Sequence, residues 1–277
     1  MSDVALTETE HLLCTGDLVL SRTLFAELNA LQDRSPAWSN IVAAKARSMM
    51  GLPTLAMLRI FALAAKGHIL EIGAYIGGSS LALAWGALAN QRSKLVVIDR
   101  VGSYSSHPHL PSDDIEADWH QTMQEFGIDE IAQLIAGNSC DPACCARAKA
   151  ALNGEKFDCV SIDANGFVWE HLAHISTSLT DTFYLIIDDY VGPSEAGDAK
   201  HKAHRTIASV HDALECGAIE EFGVLPWGTW FGRATPRFHE NFNRILTAET
   251  ERKLQENPVD LPPIAGQSGK SGFRPKF

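Results

Sequence analysis

The rhythm of apolar and polar positions changes once along this chain. Segments 23–32 and 38–49 carry apolar residues at helical spacing. Pro53-Thr54 opens a third helical run, Leu55 to Lys66, which stops at Gly67. Beyond Gly67, short apolar runs alternate with helical stretches of ten or more residues. Residues 68–72, 94–99, 131–136, 157–163 and 183–189 each read as a strand covered on both faces. Such alternation predicts a parallel sheet of βαβ units with right-handed crossovers. A helix over about 198–215 then precedes AIEEFGVL and GTWFGR. Few residues around Pro226 separate these two strands, so they pair antiparallel. From about residue 256 the tail is rich in Pro, Gly and Ser and reads as an extended segment. The expectation is an α/β protein with a doubly wound, seven-stranded, mainly parallel sheet and an antiparallel last strand. Residues 1–66 form a helical extension or lid, 67–235 a ligand-binding domain, and 236–277 a helix and tail.

Composition narrows the partners. Hydrophobic residues make up 45% of the 277 and charged residues 21%, which is globular and excludes whole-chain disorder. Lys and Arg number 23 against 34 Asp and Glu, for a net charge of −11. That balance argues against nucleic acid and anionic membranes as partners. No apolar run reaches the roughly 18 residues that span a bilayer. The start, MSDVALTETEHLL, lacks a charged-then-apolar export pattern, so a soluble cytoplasmic protein is expected. Six cysteines without a CxxC pair read as reduced thiols, and Cys140, Cys144 and Cys145 lack zinc spacing and a fourth ligand.

The candidate chemistry begins at Glu71-Ile72-Gly73-Ala74-Tyr75-Ile76-Gly77-Gly78-Ser79-Ser80, a turn between a strand and a helix. Ligands of open α/β sheets bind at the carboxyl ends of the strands. A phosphate loop needs a Lys that is absent, and a dinucleotide turn needs glycine where Tyr75 stands. A nucleoside without phosphates fits, and S-adenosylmethionine is such a ligand. Its amino-acid end can meet Gly73, Ala74, Tyr75 and the helix N-terminus, with Ser79 adding a hydroxyl. Asp99, 26 residues beyond Gly73 at the end of the second strand, can accept both ribose hydroxyls. Gly137, Asn138 and Ser139 follow the third strand, where the adenine would lie.

The segments LEIGAYIGGSS, VVID, AGNS, SIDANG and LIIDDYVG together resemble the class I S-adenosylmethionine-dependent methyltransferases. More narrowly they resemble the metal-dependent O-methyltransferases. LEIGAY is similar to the catechol type, and the IDD pair to the macrocin and novobiocin sugar type. The resemblance covers about 67–233. It implies a Rossmann-like fold and methyl transfer to a hydroxyl of a small molecule such as a natural product. It also implies Asp163 at the cofactor and Mg²⁺ or a similar cation on Asp163, Asp188 and Asp189.

The residues themselves allow this metal and also question it. Three carboxylates at the ends of neighbouring strands suit a hard cation that binds a hydroxyl and lowers its pKa. Yet adjacent strand residues point to opposite faces, so Asp188 and Asp189 can both chelate only where the strand has already ended. Otherwise one of them caps a turn, or Asp189 works alone in a metal-free site. The proton acceptor is also missing. Catechol-type enzymes carry Lys where Gly166 stands, and the sugar type carries Asp where Asn165 stands. Asn is no base at neutral pH. Three options remain open: another residue takes the proton, the substrate is already acidic, or the reaction is not methyl transfer. Asp163, Asn165 and His171 form the candidate catalytic set, His171 as the replacement base. His107 and His109 in a long loop, and the helical trio His201, His204 and His211, are better read as structural or solvated. Trp227 and Trp230 either stack on a substrate or pack in strands. The flanks supply substrate choice or a homodimer contact. A cofactor-binding enzyme with other chemistry, or a non-catalytic binding protein, are the alternatives.

Overall fold

The computed structural model describes residues 36–91, 93–190, 197–225 and 228–256. The expected helix over 23–32, Trp227 and the tail beyond 256 lie outside these residues. Two helices come first, α1 (Pro36–Lys45) and α2 (Leu52–Ala64). Pro53 sits in the first turn of α2, where its missing N–H costs nothing. The α/β part follows as β1 (His68–Ile72), α3 (Gly78–Asn90), β2 (Leu95–Asp99), α4 (Ile115–Glu125), β3 (Ala132–Ala136) and α5 (Pro142–Ala151). It continues with β4 (Phe157–Ile162), β5 (Leu179–Ile187), α6 (Gly197–Glu215), β6 (Ile219–Val224), β7 (Trp230–Ala234) and α7 (Phe238–Glu256).

The seven strands form one sheet in the order β3-β2-β1-β4-β5-β7-β6. β3 through β5 run parallel, and β7 pairs antiparallel with both β5 and β6. Every residue of β1 and β4 is buried, because helices cover both faces of the central strands. Alternate side chains divide between two cores. Ile69, Leu95, Val97 and Cys159 join α1 to α4 on one face. Leu70, Val96, Val160 and Leu185 join α5, α6 and α7 on the other. Leu55, Leu58 and Phe61 of α2 are fully buried in the first core, so α2 is a layer of the domain rather than a loose cover. Burying each such side chain contributes about 1.5–3 kcal/mol. Trp230 is likewise fully buried, with its Nε1 donating to Glu221 Oε2 at 2.7 Å, which makes it strand packing. Among the described residues no helix is long and apolar enough to cross a membrane.

One strand differs from expectation in a way that matters for the site. β5 begins at Leu179 and ends at Ile187, before the aspartate pair. Its ladder with β4 closes at Ile162 and Ile187. Asp188 then donates its N–H to Ile162 O at 2.9 Å, and Asp189 turns away in a left-handed conformation with φ 58°. The alternation of strand side chains therefore does not apply to Asp188 and Asp189.

Candidate active site

One row of backbone hydrogen bonds sets the floor of the site. Gly73 N–H donates to Ile98 O at 3.0 Å, Asp163 N–H to Ile72 O at 2.8 Å, and Gly137 N–H to Asp99 O at 2.7 Å. With Asp188 on Ile162, these residues stand side by side just past the carboxyl ends of β3, β2, β1, β4 and β5. Asp99 organises the glycine turn from there. Its Oδ2 accepts from the N–H groups of Ala74 (2.7 Å) and Tyr75 (3.1 Å), and its Oδ1 from Val101 (2.7 Å). An ionised carboxylate has about four acceptor positions, so room remains for one ribose hydroxyl rather than two. Tyr75 adopts φ 51°, and its hydroxyl donates to Leu110 O. Its ring packs against Tyr104 and His107 of the loop between β2 and α4. His107 Nδ1 accepts from the N–H of His109 and Leu110, so it is a loop-building residue.

Two pockets share Gly73 and Asp163. The smaller, about 260 Å³, is lined by Ile72, Ile98, Asp99, Ser139, Asn165 and His171, among others. Hydrogen bonds fix the protons here. Asn165 Nδ2 donates to Glu170 Oε1 at 2.9 Å, so its Oδ1 is the acceptor for Phe167 N–H (3.0 Å) and for His171 Nε2 (3.0 Å). His171 thus carries its proton on Nε2. Burial lowers its pKa to about 4, so the ring is neutral and Nδ1 accepts from Ser139 Oγ at 2.6 Å. The expected catalytic set Asp163, Asn165 and His171 meets at the smaller pocket. Asn165 and His171 are tied up in its wall, and neither lines the larger one. Asn138 lines neither pocket; its Oδ1 accepts from Cys140 N–H in a local turn.

The larger pocket, about 620 Å³, lies on the other side of Gly73 and Asp163. Asp163, Asp188 and Asp189 meet here with ligand atoms within 4.8 Å of one another. Burial, and next the Asp163 charge, push Asp188 up to about 7, while Thr229 Oγ1 donates to it at 2.6 Å. Burial also raises Asp163, against the pull of Lys202. Lys202 Nζ donates to Asp163 Oδ1 at 2.8 Å and contacts Asp189 Oδ2. Burial would lower the Lys202 pKa, but the two carboxylates outweigh it and hold the ammonium above its usual value. Behind the turn, Glu71 is fully buried, with Ser80 Oγ donating to it at 2.5 Å and Oε1 left without a partner. Burial pushes Glu71 up to about 8. Ser79, its neighbour, lines the larger pocket.

The wall opposite the carboxylates comes from the α1–α2 connection. Lys45, Arg47, Ser48 and Met50 line it, with Thr54 of α2 beside Thr229 at 3.1 Å. Arg47 is strapped to α4 through Thr122 (3.1 Å) and Glu125 (2.5 Å). The connection lies so close to the start of α3 that a Cβ on Gly78 would fall 2.5 Å from Arg47 O. None of these residues was singled out by the motifs, nor was Lys202. Lys202 did carry a signal. It stands four residues before Thr206 and seven before Ser209, both buried, whereas His201 and His204 on the same helix are exposed. Helical spacing thus places Lys202 on the inward stripe.

Comparison with known proteins agrees on the fold. No family model matches the chain, and no curated protein does. Solved structures do match. One is a candidate caffeoyl-CoA O-methyltransferase from Staphylococcus aureus, at 15% identity over 76% of this chain and 98% of that one, TM-score 0.54. Another is the O-methyltransferase NovP, at 14% identity over 68% and 82%, TM-score 0.52. A third is an O-methyltransferase from Bacillus cereus in complex with SAH, at 14% identity over 75% and 96%, TM-score 0.50. The chain has the fold of the class I S-adenosylmethionine-dependent methyltransferases.

Proposed function

We propose that the chain is an S-adenosylmethionine-dependent methyltransferase whose acceptor is a hydroxyl of a small molecule. The observation that carries this reading is the pair of pockets meeting at Gly73 and Asp163, with Asp188 and Asp189 on the larger side only. Bound S-adenosylmethionine supplies a methyl group on a positively charged sulfur. Ile72, Ile98 and Ser139 would hold its base, the free position on Asp99 a ribose hydroxyl, and Ser79 with the Gly73–Tyr75 turn its amino-acid end. Asp163, Asp188 and Asp189 accept the hydrogen of an entering hydroxyl and so aim its oxygen. Met49, Met50 and the α1–α2 connection limit water at that point.

The expected Mg²⁺ fits in donor type and spacing, since three carboxylates converge. It does not fit alongside Lys202, whose ammonium already sits on two of the three. A Mg²⁺-assisted version of the reaction therefore requires Lys202 to leave those oxygens.

Calorimetry with S-adenosylhomocysteine (SAH), then mass spectrometry of an acceptor panel, tests the reading. The expected results are binding and a product heavier by one methylene. No binding would sink the cofactor assignment. Binding with no methylated product from phenols, sugars or hydroxy acids would leave a cofactor-binding protein with other chemistry.

A further inference from the structure

Three carboxylates packed together need positive charge, and the fold supplies it from an unexpected element. We infer that the ammonium of Lys202 is the resident cation of the Asp163–Asp188–Asp189 cluster, standing where a divalent metal would otherwise bind. Lys202 Nζ lies 2.8 Å from Asp163 Oδ1 and in contact with Asp189 Oδ2, so it bridges the ends of two neighbouring strands. These two carboxylates belong to the three whose ligand atoms fall within 4.8 Å of one another, the spacing a metal would need. A divalent ion and an ammonium cannot share that space.

Gly166 explains why the charge comes from α6. A Cβ at this position would fall 2.5 Å from Lys202 O and 3.0 Å from Arg205 Cβ, and its φ is +89°. The helix backbone is therefore packed directly onto the loop after β4. A long side chain at 166 would drive α6 outward and pull Lys202 off the cluster. With glycine there, the lysine of α6 reaches Asp163 from the far side. The ammonium then holds Asp163 and Asp189 in fixed positions and balances charge as an acceptor oxygen approaches. A lysine is a point charge with three donors, which suits two carboxylates and a hydroxyl oxygen.

This inference deepens the functional reading and rests on it for the catalytic consequence, but not for the place of the cation. The test is a Mn²⁺ titration of the full-length protein followed by electron paramagnetic resonance, with no cofactor or acceptor present. Wild type should bind Mn²⁺ at least tenfold more weakly than Lys202→Met, and Asp189→Asn added to Lys202→Met should remove the gain. Equal affinity in wild type and Lys202→Met overturns the inference, whether both are tight or both weak. A gain that survives Asp189→Asn also overturns it, since the ion then sits elsewhere. Melting curves confirm that each variant is folded, and Lys202→Gln serves where Lys202→Met does not fold. Methyl transfer, assayed separately, should persist in EDTA; loss in EDTA with recovery on Mg²⁺ counts against the inference. Failure of methyl transfer under all conditions would strike the functional reading alone.

Discussion

The two pockets that meet at Gly73 and Asp163 are built on different principles. The smaller takes its walls mostly from residues adjoining the strand ends, at 72–73, 98–100, 137, 139 and 163–165, with His171 beside them. One wall is a paired hydrogen-bond chain that runs from Glu170 through Asn165 and the neutral His171 to Ser139. The larger collects residues from the α1–α2 connection, the start of β7 and α6, and is dominated by charge. A site made of strand ends is a by-product of the sheet and is rigid with it. A site made of distant segments can change its occupant without disturbing the sheet. On the proposed reading, cofactor and acceptor fall on opposite sides of one glycine.

Substitutions can break or sharpen this contrast. The largest effect is expected from Asp189→Ala, which leaves the smaller pocket intact. Its kcat should fall by about 10³-fold, while SAH affinity stays within about threefold. A parallel fall in affinity, measured by calorimetry, would mean that the two sides are not separable. Next comes the buried Glu71 behind the shared turn. A carboxyl raised from 4.5 to about 8 contributes stability that is fully present below 4.5 and lost as pH rises towards 8. Wild type should lose on the order of a few kcal/mol over that interval, and Glu71→Gln should flatten the loss in urea melts at several pH values. A slope unchanged by Glu71→Gln would place the titrating group elsewhere. Asp99→Ala should weaken SAH binding by more than about tenfold, through the ribose and through three freed turn amides. An unchanged dissociation constant would remove Asp99 from the cofactor site. The smallest effect is expected for Ser139→Ala, about three- to fivefold in SAH affinity with kcat unaltered. A change in kcat there would contradict the separation of the two pockets.

The same contrast governs what the amino-acid sequence reveals. Strand ends are local, so Gly73, Asp99 and Asp163 are found by following each apolar run to its last residue. The limits of β5 are harder. Thr180, half-buried, and Asp181 and Thr182, exposed, lie in the strand but are polar, so they carry no apolar signature. The end of β5 is set by its ladder with β4, which exists only in three dimensions. That ladder is what frees Asp188 and Asp189 from alternation. Arg47 and Lys202 are invisible to motifs because their meaning depends on how α2 and α6 dock. Asn165 and His171 show the local environment that only the fold reveals. They stand close to Asp163 in sequence, and the loop ties them into a hydrogen-bonded wall.

Gly166 and Lys202 have a joint consequence. The glycine contributes no functional group, yet it determines whether a charge 36 positions later can arrive. Changed one at a time, the first reads as a backbone lesion and the second as a lost contact. Their effects should be strongly epistatic, and a lineage that trades one cation source for another must alter both residues. The heritable unit of this site is therefore the pair.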